Sequence, residues 1–151
     1  MSETKRWTVS AIVVLGVAAI SMAAMTATDA IQQRQKAMEG VLDGMKTLGA
    51  IAKGAQPFDA EVVHTSATKI ADHLMQAAEL FPAGSDTGDV QTWAKPEIWS
   101  DRDHFDQLLE STRLAAVDLQ SVTEADAFPP VLGKLGNGCK SCHDLYRLPK
   151  H

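Results

Sequence analysis

Cysteine is scarce in this chain. Its 151 residues contain two, Cys139 and Cys142, and no second pair accompanies them, so a zinc cage built on cysteine pairs is excluded. Both thiols fall in one short motif; once they are committed there, no disulfide is available and stability has to come from packing and from the group the motif holds. Positive charge is also in deficit, with 14 Lys and Arg against 19 Asp and Glu, and the net charge of −5 argues against a nucleic-acid partner. Nowhere do apolar and polar residues alternate over a sustained stretch, which leaves little signal for a β-sheet. Internal repeats, low-complexity tracts and a Ser-His-Asp grouping for hydrolytic chemistry are missing too. What remains has the length of one domain, and its 45% hydrophobic residues suffice for a core without indicating a polytopic membrane protein.

The motif that takes both thiols is Cys139-Lys140-Ser141-Cys142-His143, close to the C-terminus. On a helix, residues i, i+3 and i+4 share a face, so two sulfurs and one imidazole nitrogen point the same way. This is the spacing of a c-type haem attachment site: the sulfurs bond the porphyrin vinyl groups and the imidazole binds iron, which makes His143 the proximal ligand. A redox dithiol would need a βαβ setting that the surrounding sequence lacks. The N-terminus agrees with haem attached outside the cytoplasm. Lys5 and Arg6 precede an uncharged run over residues 7–28, densest at 9–20, as in the n- and h-regions of an export signal. Ser21-Met22-Ala23 supplies the small residues of a cleavage site, so residues 1–23 read as a signal peptide and residues 24–151 as the haem domain. The rival is an uncleaved membrane anchor, because the run approaches the ~20 residues of a span. The expected location is the periplasm of a bacterium or, with the anchor, the periplasmic face of its inner membrane.

Apolar residues recur at helical spacing in four segments, which predicts an all-α fold. The first covers residues 29–51, with Ile31, Met38, Leu42, Met45 and Leu48 on one stripe, and Gly54 and Pro57 end it. The second starts at Asp59 as N-cap, with Phe58 and Val63 placed as a hydrophobic staple and Val63, Ala67, Ile70, Leu74 and Ala78 on its inner face. Turn formers fill residues 81–95, a connection long enough to carry or cover a site. A third segment opens at Pro96, with a second start where Ser100 and Asp103 match a capping box. Phe105, Leu108, Leu109, Leu114 and Leu119 lie on or beside its inner face. Pro129 and Pro130 fit a first turn, so the fourth runs from near Asp126 through the motif to about Leu148. His64, His73 and His104 read as solvated or satisfied side chains. Asp101, Asp103, Asp106 and Glu110 read as a solvated acidic surface able to steer a basic redox partner.

Iron bound by His143 has a sixth position, and a facing helix of a bundle is the natural supplier. Met38 is the leading candidate, although periodicity alone makes it ordinary core, since methionine fills gaps. Arg34 lies one turn earlier on the same stripe, where a charge is expensive to bury unless it meets an anion such as a haem propionate. At this point three segments line up: Arg34-Gln35-Lys36-Ala37-Met38, Pro96-Glu97-Ile98-Trp99, and Cys139-Lys140-Ser141-Cys142-His143-Asp144-Leu145-Tyr146-Arg147. Together they resemble the class II c-type cytochromes, the cytochrome c′ family, over residues 28–148.

The resemblance implies an antiparallel up-down-up-down four-helix bundle carrying one haem c bound covalently through Cys139 and Cys142. It places Arg34, Gln35 and Trp93 along the haem edge, with tryptophan a departure from the commoner polar residue, and Arg147 close to the proximal His143. It puts Met38 on the distal side, where family members either ligate iron through methionine or leave it five-coordinate behind apolar packing. Leu48-Gly49-Ala50-Ile51-Ala52-Lys53-Gly54 and Leu80-Phe81-Pro82-Ala83-Gly84-Ser85 are more similar to the low-spin, methionine-ligated members. The implied function is periplasmic electron transfer between redox partner proteins, without catalysis. The alternative is a five-coordinate binder of nitric oxide or carbon monoxide. Homodimers are common in the family.

Overall fold

The structure, a computed structural model, describes residues 25–149, and the expected export signal at residues 1–23 lies outside them. Among the described residues no helix is long and apolar enough to cross a membrane. Helix α1 spans Ala27–Ala52 and begins earlier than expected, because Thr26 and Asp29 form a reciprocal capping box in which the Asp29 amide donates to Thr26 Oγ1 at 3.1 Å. Asp29 is therefore the third helical residue, and its charge also suits the helix N-terminus. Helix α2 spans Ala60–Ala78 and is capped as the sequence predicts, Asp59 accepting from the amides of Glu61 at 2.9 Å and Val62 at 3.2 Å. Phe58 and Val63 both pack into the main core.

The third predicted segment is two helices, a single turn α3 at Glu97–Ser100 and a long α4 at Arg102–Gln120. The capping box expected from Ser100 and Asp103 does not form. Asp101 occupies the N-cap without a capping bond, since its carboxylate accepts from the Tyr146 hydroxyl at 2.7 Å instead. Helix α5 spans Phe128–Tyr146, with Pro129 and Pro130 in its first turn where no intrahelical amide is lost.

Contacts between the helices fix their directions. Gly40 and Gly44 of α1 meet His73 and the Ser66–Ile70 stretch of α2; His64 and Ala78 of α2 meet Gln120 and Arg102 of α4; Thr112 and Phe105 of α4 meet Gly138 and Tyr146 of α5. Each pair runs antiparallel, and with α3 as a short appendage this is an up-down-up-down four-helix bundle. Its tight seams rely on small residues. A Cβ on Gly44 would stand 2.6 Å from Ile70 Cγ1, and one on Gly138 would stand 2.7 Å from Thr112 Oγ1. The fourth seam differs, for α1 and α5 touch only narrowly.

The core matches the predicted faces with two exceptions. On α1 the buried stripe runs through Ile31, Arg34, Ala37, Val41, Gly44, Leu48 and Ile51, and Leu42, one position past Val41, lines the open side between α1 and α5 instead. On α4 Thr112 and Ala116 take the inner face and Leu114 is 48% exposed. At the end of the bundle nearest α3, the rings of Phe81, Phe105 and Tyr146 pack edge to face in sequence, with centroids 4.8 and 5.3 Å apart.

Candidate functional site

The open seam between α1 and α5 is a cleft of about 390 Å³. Val41, Phe81, Ile98, Phe105 and Leu109 give it apolar walls. Seven of the eight site residues expected from sequence line it: Arg34, Gln35 and Met38 from α1, Trp93 from the long connection, Cys142 and His143 from α5, and Arg147 just beyond α5. The eighth, Cys139, lies one turn before Cys142 and packs half-buried against the edge of the core.

The two cysteines form no disulfide, and burial pushes both thiols up from the ordinary cysteine range, Cys142 to about 11 with a further push from Cys139. Thiols held protonated are the opposite of the low-pKa pair a disulfide exchanger uses. Among the described residues no cluster of His, Cys, Asp and Glu has the makings of a metal cage. A dithiol and an adjacent imidazole on the wall of an apolar cleft do fit a porphyrin bonded through its edge.

Position of the motif is fixed from several sides. Gly138 lets α5 approach Thr112 of α4 immediately before Cys139. At the C-terminal end of α5, Lys95 Nζ donates to the carbonyls of Asp144 at 3.2 Å and Leu145 at 3.0 Å, a cation where the helix dipole favours one. An antiparallel bridge pairs Ala94 with Arg147, and the Leu148 amide donates to the Trp93 carbonyl at 2.7 Å. Lys140 and Asp144 form an exposed ion pair on the outer face of the motif.

Arg34 is buried, 4% exposed, as its stripe position requires, and the protein itself supplies acceptors for it. Its guanidinium donates to the Leu80 carbonyl at 3.4 Å, to Ser85 Oγ at 3.1 Å, to the Ser85 carbonyl at 2.8 Å and to Thr92 Oγ1 at 2.8 Å. It also stands 5.1 Å from the centre of the Phe81 ring and 5.7 Å from that of Trp99. Burial lowers its pKa from the ordinary arginine value, partly opposed by Asp86. Gln35 likewise donates to the connection, to the Gln91 carbonyl at 2.7 Å. Ser85 and Thr92 were not expected as partners. A serine and a threonine among so many turn formers carry no pattern that marks them, and only the buried arginine hinted that acceptors must lie near.

The acidic surface expected along α4 is largely engaged. Asp101 meets Tyr146 and, at 3.3 Å, His104; Asp106 accepts from Arg102 at 2.8 Å; Glu110 pairs with Arg113. His104 is thus a partnered side chain, its Nδ1 also 3.0 Å from the Tyr146 hydroxyl. Burial and then Asp101 push the Tyr146 phenol up to about 12, while its hydroxyl holds Asp101 below the usual carboxylate range.

Four antiparallel helices around a cleft whose wall carries the haem-attachment motif define a c-type haem protein of the bundle class. Comparison with known proteins makes the assignment specific. The family model for cytochrome c′ matches residues 29–147. Cytochrome c′ of Rhodopseudomonas palustris is 39% identical over 145 residues, covering 95% of each chain. Cytochrome c-556 of Agrobacterium fabrum is 31% identical over 132 residues, covering 84% of this chain and 86% of that one. The solved structure of the Rhodopseudomonas palustris cytochrome c′ superposes with a TM-score of 0.77 at 35% identity, over 82% of this chain and 98% of that chain. The chain belongs to the cytochrome c′ family and is a c-type cytochrome with one covalent haem c.

Proposed function

We propose that this cytochrome is a periplasmic single-electron carrier in which Cys139 and Cys142 hold the haem, His143 is the proximal ligand and Met38 the distal one. The observation that carries this reading is the placement of Met38 and His143 on the walls of one cleft, from two helices that otherwise barely touch. A His/Met pair raises the reduction potential and leaves no open position for a gas, which suits a carrier. Haem supplies the one-electron couple of its iron; the chain supplies orientation, exclusion of water and a fixed electrostatic surround. Phe81, Ile98, Phe105 and Leu109 keep the cleft apolar, Trp93 and Gln35 line its edge, and Arg147 adds a cation beside the motif. Its partners are then redox proteins of an electron-transfer chain, and residues 1–23 direct export.

The second reading, a binder of nitric oxide or carbon monoxide, draws on Val41 and Leu42, which line the same cleft as Met38. If the thioether only packs, these side chains make an apolar sixth site. Absorption spectra of the oxidised and reduced protein, with and without carbon monoxide, separate the two. Sharp low-spin ferrous bands that resist carbon monoxide are expected, and Met38→Ala should convert them to a high-spin spectrum that takes up the gas readily. A native protein already high-spin and quick to bind carbon monoxide would remove Met38 from the ligand set.

A further inference from the structure

Residues 81–95 do more than connect α2 to α3. They cross from α1 to α5, the one pair of neighbouring helices without a close seam. On the α1 side they are held by Arg34 at Ser85 and Thr92, by Gln35 at Gln91, and by Thr28, whose Oγ1 accepts from the Asp89 amide at 3.1 Å. On the α5 side they are held by the Ala94–Arg147 bridge, the Lys95 amide donating to the Tyr146 carbonyl at 2.9 Å, and the Lys95 ammonium on the helix end. The two sets meet at Thr92, whose Oγ1 accepts both from Arg34 at 2.8 Å and from the Ala94 amide at 3.1 Å. Trp93, a wall of the cleft, sits between these two anchored residues.

We propose that Arg34 is a positioning residue: through Thr92 and Ser85 its guanidinium fork ties the connection across the cleft, holds Trp93 on the wall and limits entry of small ligands to the haem. Arg34 then acts by the shape of its fork more than by its charge. The fork is spread over four acceptors belonging to three residues, and it lies between two aromatic rings. An ammonium cannot reproduce that geometry. Ser85 is fully buried, and its hydroxyl, which accepts from Arg34, donates in turn to the Pro82 carbonyl at 2.8 Å, so the acceptors are themselves fixed.

The gating part of this proposal rests on the haem reading above; the anchoring part is measurable without it. Arg34→Lys keeps the charge and loses the fork, and Thr92→Val keeps both the charge and the side-chain shape and loses one acceptor. In the haem-loaded protein both are expected to speed amide hydrogen exchange over residues 85–95 about tenfold, the effect of losing a charge-assisted hydrogen bond. Both should also raise the rate of carbon monoxide binding to the reduced protein when combined with Met38→Ala, which opens the sixth position so that the rate reports entry. Arg34→Lys indistinguishable from the parent, or Thr92→Val silent in both measurements, would overturn the proposal and return Arg34 to a purely electrostatic role. Faster exchange with an unchanged carbon monoxide rate would overturn the gating. The spectrum of each variant reports Met38 ligation separately, so loss of the distal ligand in the parent would sink the carrier reading and leave the exchange test standing.

Discussion

Gly138 precedes the first haem-motif cysteine in the interior of α5, where glycine costs about 0.5–1 kcal/mol relative to alanine. The structure explains why it is there. An alanine Cβ would lie 2.7 Å from Thr112 Oγ1 and 3.2 Å from both Thr112 Cβ and Cγ2, so either helix or threonine must move. Thr112 is buried, and its hydroxyl donates to the Leu108 carbonyl at 2.7 Å, so it has no free rotamer to retreat into without breaking that bond. Overpacking of this kind costs about 1–3 kcal/mol, against a gain of about 0.5–1 from the better helix former. Gly138→Ala should therefore destabilise by about 1 kcal/mol net.

Gly136 is the internal control, because nothing lies within 4 Å of its Cβ position and Gly136→Ala should stabilise by the full propensity gain of about 0.5–1 kcal/mol. The difference between the variants isolates the α4–α5 contact. Guanidinium unfolding of the haem-loaded protein, followed by helical circular dichroism, measures both, with the slope unchanged if only stability is affected. In a Thr112→Ala background the clash is gone and Gly138→Ala should behave as Gly136→Ala does. If Gly138→Ala alone stabilises as much as Gly136→Ala, the close seam that positions the motif is not there.

Replacing both Cys139 and Cys142 by alanine should abolish haem staining on a denaturing gel and leave a poorly folded chain; undiminished staining would end the c-type assignment. Tyr146→Phe tests the hydroxyl at the end of α5. With the folded phenol raised to about 12, its contribution is fully present below the ordinary value of about 10 and is lost as pH rises through 12. The parent should therefore lose more stability across that window than the variant, in unfolding curves taken at stepped pH. On the acid side Asp101, held low chiefly by this hydroxyl, gives the parent stability that disappears as pH falls through its depressed pKa, and that dependence should shrink in the variant. Mass spectrometry of protein from the native host should find a terminus at or before Thr26, since a later cut removes the α1 cap; an intact Met1 in membranes would favour the anchor.

What the sequence disclosed is what repeats or what chemistry demands. Helical spacing marked the four long helices, and Asp59 with Phe58 and Val63 marked a start. The i, i+3, i+4 placement of Cys139, Cys142 and His143 marked the site. Residues without a period stayed hidden. Asp101 could not be told from its acidic neighbours until Tyr146, 45 positions away, arrived beside it. Leu42 and Val41 are adjacent and equally apolar, and no period tells that Val41 packs into the core while Leu42 lines the cleft. For Arg34 the cost of burying the charge was legible and its protein acceptors were not, because they sit in a connection whose path no periodicity predicts.

The bundle treats its seams unequally, and that inequality makes the site. Between α1 and α2 and between α4 and α5, a glycine set against Ile70 or Thr112 draws the helices close and fills the space with side chains. Between α1 and α5 no such contact exists; the space is a cleft, and the two helices are tied by polar bonds through residues 81–95. Hydrogen bonds suit that task, because they fix separation and orientation without occupying the volume that apolar packing would take. The apolar walls of Phe81, Phe105 and Leu109 then call for an apolar, rigid group held in place by the motif, which makes the haem part of the core and its covalent attachment part of the fold.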